Sequence, residues 1–288
     1  MPVAHPTRRP ALVTGASSGI GAASARQLAA AGHPLALAAR RVERLDALAA
    51  EINEAGGEAV AVPIDMAEPS SIEKCVAAAE DALGPIECLV SVAGDVLPSK
   101  AHETEPAEFA RQVQINLLGV QGLIAAVVPG MVQRRRGDVV LVTSDVVRVQ
   151  RPTMSSYISA KSGLEGLARA MQLELEGTGV RCSMVRPGPT LTELGSGFPP
   201  ESIPVIMKEW KQHGVMRHDG YLDADGVAGA VIAVLSAPRG THFTIIEVEP
   251  EAPVRGDDAT EQETAAAKAH LSDLAATSRD TARSQESN

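Results

Sequence analysis

Tyr157 and Lys161 stand four residues apart in a stretch that reads as helix, so their side chains share one face. A free phenol, with a pKa near 10, is a poor base at neutral pH, and an ammonium beside it stabilises phenolate. The pair is therefore suited to moving a proton. Ser144 lies 13 positions before Tyr157, at the end of an apolar run, where its hydroxyl can hold a substrate oxygen. Near the N-terminus a second chemical element appears: Thr14-Gly15-Ala16-Ser17-Ser18-Gly19-Ile20-Gly21 follows a short apolar run and opens a helix. Glycines in such a turn let a ligand approach the main chain, and the helix N-terminus offers free N–H groups to a pyrophosphate. Ser17, Ser18 and Ile20 fill the loop between the glycines. Neither element is specific alone, since Tyr-x-x-x-Lys pairs and glycine turns are common. Together they suggest proton transfer beside a bound dinucleotide.

The end of the second apolar run bears on which dinucleotide. An acidic residue there would bind a ribose 2′-hydroxyl and repel a 2′-phosphate. The chain has Ala39 followed by Arg40 and Arg41. Guanidinium groups suit a phosphate, so NADP(H) is expected. Arg40 and Arg41 are both candidate ligands of that phosphate; one of them is expected to be a solvated charge on the next helix's first turn, Arg41 sooner than Arg40.

The elements that must position these residues alternate along the chain. Strands are expected over 11–14, 34–38, 58–64, 87–93, 138–143, 180–185 and 242–248. Helices are expected over 19–31, 42–55, 69–83, most of 104–133, 153–177 and 224–235. Strands with Val, Leu and Ala in near-continuous runs are buried on both faces. Strand–helix alternation then demands a parallel sheet, giving an α/β fold. It is a Rossmann-like doubly wound parallel sheet of about seven strands with helices on both faces. Residues 1–251 read as one such domain. Residues 191–222 break the rhythm with Gly and Pro and read as a lid with one or two short helices, its apolar residues including Leu194, Phe198, Ile206 and Trp210. Residues 252–288 form a polar tail, disordered or loosely helical over 259–276.

Composition narrows the partners. The chain has 288 residues and a formal net charge of −10, which disfavours nucleic acid and anionic membrane. Aromatics are only 2%, so aliphatic residues must fill the core. Cys75, Cys88 and Cys182 fit no metal-ligand spacing and read as buried thiols of a cytoplasmic protein; no metal is expected, and His213 and His218 lack a third ligand. No secretory signal is visible, and no apolar run reaches membrane-spanning length. Asp145 could line the pocket or face solvent, and is read as facing solvent.

In combination these motifs resemble the short-chain dehydrogenase/reductase family over about residues 9–250. Thr14 to Gly21 matches its TGxxxGxG loop. Asp65-Met66 matches the acidic end of strand three that contacts adenine. Asn116, Ser144, Tyr157 and Lys161 match the catalytic tetrad in order and spacing. Pro187-Gly188-Pro189-Thr190-Leu191-Thr192 is similar to the PGxxxT segment, with Thr192 at the nicotinamide carboxamide. The resemblance implies hydride transfer between NADP(H) and a ketone or secondary alcohol. Tyr157 would be the general acid/base, Lys161 would hold the nicotinamide ribose, and Asn116 would bend its helix and hold a relaying water. It also implies a homodimer or homotetramer. The apolar lid suggests a hydrophobic small-molecule substrate. One departure stands out: the family's Asn-Asn-Ala-Gly is Ser91-Val92-Ala93-Gly94 here, keeping Ala93 and Gly94 for the cofactor ribose and losing two amides. A non-catalytic NADP(H)-binding sensor or scaffold is the alternative, disfavoured because a pure binder needs no Tyr157–Lys161 pair. A nucleotide-sugar epimerase would carry a longer C-terminal substrate domain.

Overall fold

A computed structural model describes residues 8–194, 198–199 and 201–252. The tail beyond 252, with the helix expected there, lies outside the described residues, as do Gly195, Gly197 and Pro200. Seven strands form one parallel sheet: β1 (Ala11–Thr14), β2 (Leu35–Ala39), β3 (Ala59–Pro63), β4 (Cys88–Ser91), β5 (Gly137–Val142), β6 (Val180–Pro187) and β7 (Ile245–Val248). Their spatial order is β3-β2-β1-β4-β5-β6-β7, and every neighbouring pair is parallel. The doubly wound Rossmann-like fold read from the strand–helix rhythm is therefore the observed one. The strands β1, β2, β4 and β5 are wholly buried. Their near-continuous apolar sequence follows from that, because both faces are covered.

Alternate residues serve opposite faces. Leu12 packs with Ile72 and Cys75 of α3 (Pro69–Leu83), Leu123 of α5 (Gly119–Gln133) and Leu164 of α6 (Ser155–Glu174). Ala11 and Val13 pack with Leu28 of α1 (Gly19–Ala30), Leu45 of α2 (Val42–Glu54) and Val227 of α8 (Ala224–Ser236). Aliphatic side chains dominate both layers, as the scarcity of aromatics requires. Cys75, Cys88 and Cys182 are buried and free, and burial pushes each thiol up to about 12.

Two departures from the expected elements have local causes. The helix expected across 104–133 is interrupted: α4 (Pro106–Val113) passes through a π-helical turn, Gln114–Leu118, into α5. The Asn116 side-chain Nδ2 donates to the Gln112 carbonyl at 2.8 Å, where a regular turn would use the backbone N–H of residue 116. A side chain inserted into the helical ladder widens the turn. The continuous helical run Pro106–Gln133 is also long and apolar enough to cross a membrane by length and composition, although no single apolar segment in the sequence suggested this. Here Val120, Leu123, Val127 and Met131 pack it onto the sheet.

At the N-terminal edge of the sheet, away from the strand C-termini, sits a buried charge cluster. Asp138, beside Cys88 of β4 and Arg181 of β6, accepts from Arg9 Nη2 and, at 2.6 Å, from Arg181 Nε. Glu87 accepts from Arg136 and lies 3.9 Å from Arg9 Nε. Asp138 and Arg9 are nearly inaccessible to water. Removing the carboxylate strands a buried guanidinium, so Asp138→Ala is expected to lower stability by about 3 kcal/mol in chemical denaturation. A loss below about 1 kcal/mol, the range of a surface pair, would contradict this account of the cluster.

Candidate active site

Strand order reverses between β1 and β4, so crossover connections leave opposite faces there and a crevice opens at the strand C-termini. A cleft of about 510 Å³ lies at that point. The glycine loop forms one wall. Gly15 has φ +69, a left-handed conformation, and an added Cβ would stand 3.0 Å from the Ala93 backbone nitrogen. Gly21 packs so closely on the loop that a Cβ there would meet the Gly15 carbonyl at 2.2 Å. It shapes the loop from behind and does not line the cleft, unlike Gly15, Ser17, Ser18, Gly19 and Ile20. Ser18 precedes α1 in extended backbone without a side-chain cap, leaving the first-turn N–H groups of α1 for an anion.

Across the reversal, the Thr14 hydroxyl accepts from the backbone N–H of Val92 at 3.1 Å and of Ala93 at 3.2 Å. A single β1 side chain thus ties down the segment after β4, where the family's two amides are missing. Ser91 Oγ, which replaces one of them, is buried without a hydrogen-bond partner among the described residues. Ala93, Gly94, Asp65 and Met66 line the adjoining part of the cleft. Asp65 Oδ1 accepts from the Ala67 N–H at 2.9 Å.

Ser144, Tyr157 and Lys161 converge at the cleft's inner end. Ser144 follows β5, and Tyr157 and Lys161 project from the first turns of α6. Lys161 is 3% exposed, donates to the Val142 carbonyl at 2.9 Å, and lies 5.7 Å from the Tyr157 ring centre. Burial drives its pKa down to about 8. The Tyr157 phenol is raised by its own burial. The Ser144 hydrogen bond opposes that rise, the Asp145 charge adds to it, and Arg151 counteracts. Asn116 stands behind the cleft wall: its Oδ1 accepts from the Asp95 N–H at 3.1 Å, and its Nδ2 donates to the Asp95 carbonyl at 2.8 Å. A Cβ added to Gly94 would fall 2.9 Å from Asn116 Oδ1 and 3.8 Å from Lys161 Nζ, so these two members of the expected tetrad meet beside this glycine.

Pro187, Gly188, Thr190 and Thr192 line the cleft past the end of β6, and Thr190 Oγ1 donates to the Gly188 carbonyl at 2.9 Å. Among the expected lid residues, Leu194 and Trp210 line the cleft. Phe198 packs against the small cluster of Val96, Val146, Met154 and Tyr157, and Ile206 is buried on α7 (Ile203–Gln212). Trp210 Nε1 donates to the Pro152 carbonyl at 2.9 Å.

Asp145 is a correction. It is buried in the cleft wall, not solvent-facing, because Arg151 neutralises it: Nη1 donates to Oδ1 at 2.9 Å and Nη2 to Oδ2. Arg151, overlooked in sequence, also lies 5.5 Å over the Trp210 ring. The two arginines after β2 also differ in their contacts. Both line the cleft, but it is Arg41 that reaches the loop, donating to Ser17 Oγ at 2.9 Å and Ser18 Oγ at 2.7 Å. Arg40 is exposed and makes no comparable bond among the described residues. No group of His, Cys, Asp and Glu among the described residues could hold a metal.

A family model described as short chain dehydrogenase matches residues 9–201, more than half of the chain. The chain belongs to the short-chain dehydrogenase family. Glycine betaine reductase ATRR of Emericella nidulans is 36% identical over 241 residues, covering 83% of this chain and 18% of that protein. A short chain dehydrogenase of Pseudocercospora fijiensis is 37% identical over 188 residues, covering 65% of this chain and 61% of that one. The chain thus spans less than two thirds of either relative. Among solved structures, an alcohol dehydrogenase from Thermococcus sibiricus complexed with 5-hydroxy-NADP superposes with a TM-score of 0.74 at 29% identity, covering 87% of this chain and all of that one. This member of the family accordingly has a doubly wound fold with its cleft at the strand reversal. The glycine loop, the free N–H groups of α1 and the cleft at the strand reversal fit a nicotinamide cofactor.

Thr14 generates a direct test. Thr14→Val keeps the shape but leaves the N–H groups of Val92 and Ala93 without their acceptor, so stability should fall by about 1–3 kcal/mol. Thr14→Ser should retain most of it. Equal stability of Thr14→Val and wild type in denaturant titration would show that the hydroxyl does not organise this junction.

Proposed function

We propose that this short-chain oxidoreductase interconverts a ketone and a secondary alcohol with NADP(H), Tyr157 exchanging the proton with the substrate oxygen. The observation that carries the reading is the convergence of Ser144, Tyr157 and Lys161 on one cleft end, opposite a glycine loop suited to a pyrophosphate. The nicotinamide ring supplies or accepts the hydride when the cofactor is bound. Every other part falls to this chain. Ser144 donates to the substrate oxygen and orients it toward the Tyr157 hydroxyl. In reduction, Tyr157 gives its proton to that oxygen as the carbon accepts hydride; in oxidation it withdraws the proton. The raised phenol pKa keeps Tyr157 protonated in the free protein, ready as an acid. Lys161 holds the nicotinamide ribose, and its charge beside the ring stabilises phenolate after transfer. Asn116 keeps Asp95 and Gly94 in place at the Lys161 end.

NADP(H) is favoured over NAD(H) by Ala39, by the Arg41 guanidinium fixed at the loop, and by the 5-hydroxy-NADP bound to the Thermococcus sibiricus relative. Apolar Leu194 and Trp210 in the cleft favour a hydrophobic substrate. Exposed Phe109, Leu118 and Leu173 on the α4–α6 side support a homodimer or homotetramer through those helices. Buried free thiols fit a reducing, cytoplasmic setting.

Tyr157→Phe should bind NADPH as wild type does and lose about 10²- to 10⁴-fold in kcat/KM across a panel of ketones. Turnover close to wild type would remove Tyr157 from the chemistry. Lys161 adds a pH prediction. Its ammonium is present below about pH 8 and lost above, so NADPH affinity should weaken as pH rises through that value. In Lys161→Met the affinity, read by fluorescence titration, should be weaker and flat across the same range. A wild-type profile without a step there would contradict the assigned role.

A further inference from the structure

Glu193 directly follows Thr192 on the segment leaving β6, far in sequence from the arginines after β2. Thr192 packs against the glycine loop, since a Cβ added to Gly19 would meet its Cγ2 at 3.0 Å. That contact delivers the next side chain to the adenine-ribose end of the cleft. There the Glu193 carboxylate lies between two guanidiniums. Arg41 Nη1 donates to Oε2 at 2.6 Å. Arg44 Nη1, from the first turn of α2, donates to Oε1 at 2.7 Å and Oε2 at 3.0 Å. Arg41 is fixed on its other side by Ser17 and Ser18. The result is a three-part anion seat: two guanidiniums and a serine-lined loop, with the protein's own carboxylate in it.

Charge and shape make the carboxylate a poor final occupant. One negative charge faces two positive ones, Arg41 in the cleft wall and Arg44 in the adjoining hollow beside Ser17, and Arg40 adds a third positive charge to the cleft wall. A phosphate dianion carries more charge and three oxygens, and so can engage both guanidiniums and a serine hydroxyl together. The arginines and Glu193 all remain part-exposed, so exchange needs no opening of the core. Although burial alone would raise the Glu193 pKa, the hydrogen bonds from Arg44 and Arg41 lower it, so the group stays charged.

We propose that Glu193 is an internal stand-in for the 2′-phosphate of NADP(H), holding Arg41 and Arg44 until the phosphate displaces it, and thereby setting the selectivity between 2′-phosphorylated and unphosphorylated cofactors. This rests on the NADP(H) reading above. A ribose with a free 2′-hydroxyl does not compete for the guanidiniums, so NADH binds with the ion pairs intact. NADPH must break them first, and its affinity is reduced by that amount. Glu193 is thus a specificity-determining residue that acts against the phosphate. The cofactor's adenine end is also linked to the segment carrying Thr192 and Leu194, both in the cleft wall.

Isothermal titration of wild type and Glu193→Gln with NADPH, NADH, 2′,5′-ADP and 5′-ADP separates the possibilities. Glu193→Gln should bind NADPH and 2′,5′-ADP roughly threefold to tenfold more tightly, the scale of two part-exposed ion pairs, with NADH and 5′-ADP unchanged. Weaker binding of the 2′-phosphorylated pair would show that Glu193 merely positions Arg41 and Arg44, and would overturn the proposal. So would an equal change for all four ligands, or none. The wild-type ratio of NADPH to NADH affinity tests the cofactor reading by itself. The change that Glu193→Gln makes in 2′,5′-ADP affinity tests the stand-in, whichever cofactor the wild type prefers.

Discussion

A lysine ammonium taken out of water needs fixed partners, and much of this cleft is built around the one at position 161. Burial lowers its pKa to about 8, so the charge persists at neutral pH and is lost just above it. Its hydrogen bond to the Val142 carbonyl ties α6 to the last residue of β5. The same residue pair fixes the distance between the Tyr157 ring and the serine that follows β5. Gly94 must be a glycine to leave room beside Lys161 and Asn116. Asn116 in turn widens its own helix to a π turn while clamping Asp95. Together these contacts hold the ammonium beside the Tyr157 ring.

The sheet supplies what the lysine cannot. Because strand order reverses between β1 and β4, the loop after β1 and the ends of β4 and β5 face one crevice. Thr14 bridges the reversal with two backbone hydrogen bonds. Electrostatics are divided along the strands. A self-neutralising cluster of Arg9, Glu87, Asp138 and Arg181 lies buried at the N-terminal edge, while the C-terminal edge keeps its charges at the cleft. There Asp145 is balanced by Arg151, and the carboxylate of Glu193 by two arginines.

Much of this was legible in the sequence, for physical reasons. Buried parallel strands require unbroken aliphatic runs, so β1 to β6 declared themselves, and α3 began at Pro69 and ended at Leu83 as expected. The loop glycines are readable because few other residues tolerate their backbone, and Tyr157–Lys161 because helical spacing is local. What escaped was long-range pairing. Arg41 and Arg44 meet Glu193 across roughly 150 positions, a partnership that no local pattern encodes, so Arg40 looked the better phosphate ligand. Asp145 looked solvated because its neutralising partner, Arg151, sits in an irregular segment with no periodicity to mark its direction. The π turn is a competition between one side chain and the backbone, invisible to apolar spacing. The Ser91-Val92 substitution looked like a loss until Thr14 was seen to hold the segment from the opposite strand.

The central claim is that this cleft joins hydride transfer to proton delivery by Tyr157. Its most direct test is a single-turnover reaction of the enzyme with NADPH deuterated at C4 of the nicotinamide and a panel of hydrophobic ketones, with products read by mass spectrometry. The account predicts deuterium at the new carbinol carbon with the wild-type chain, and its appearance slowed by about 10²-fold or more with Tyr157→Phe at the same cofactor occupancy. Absence of label from every product of the wild-type enzyme, or equal rates of labelling by the two proteins, would contradict it.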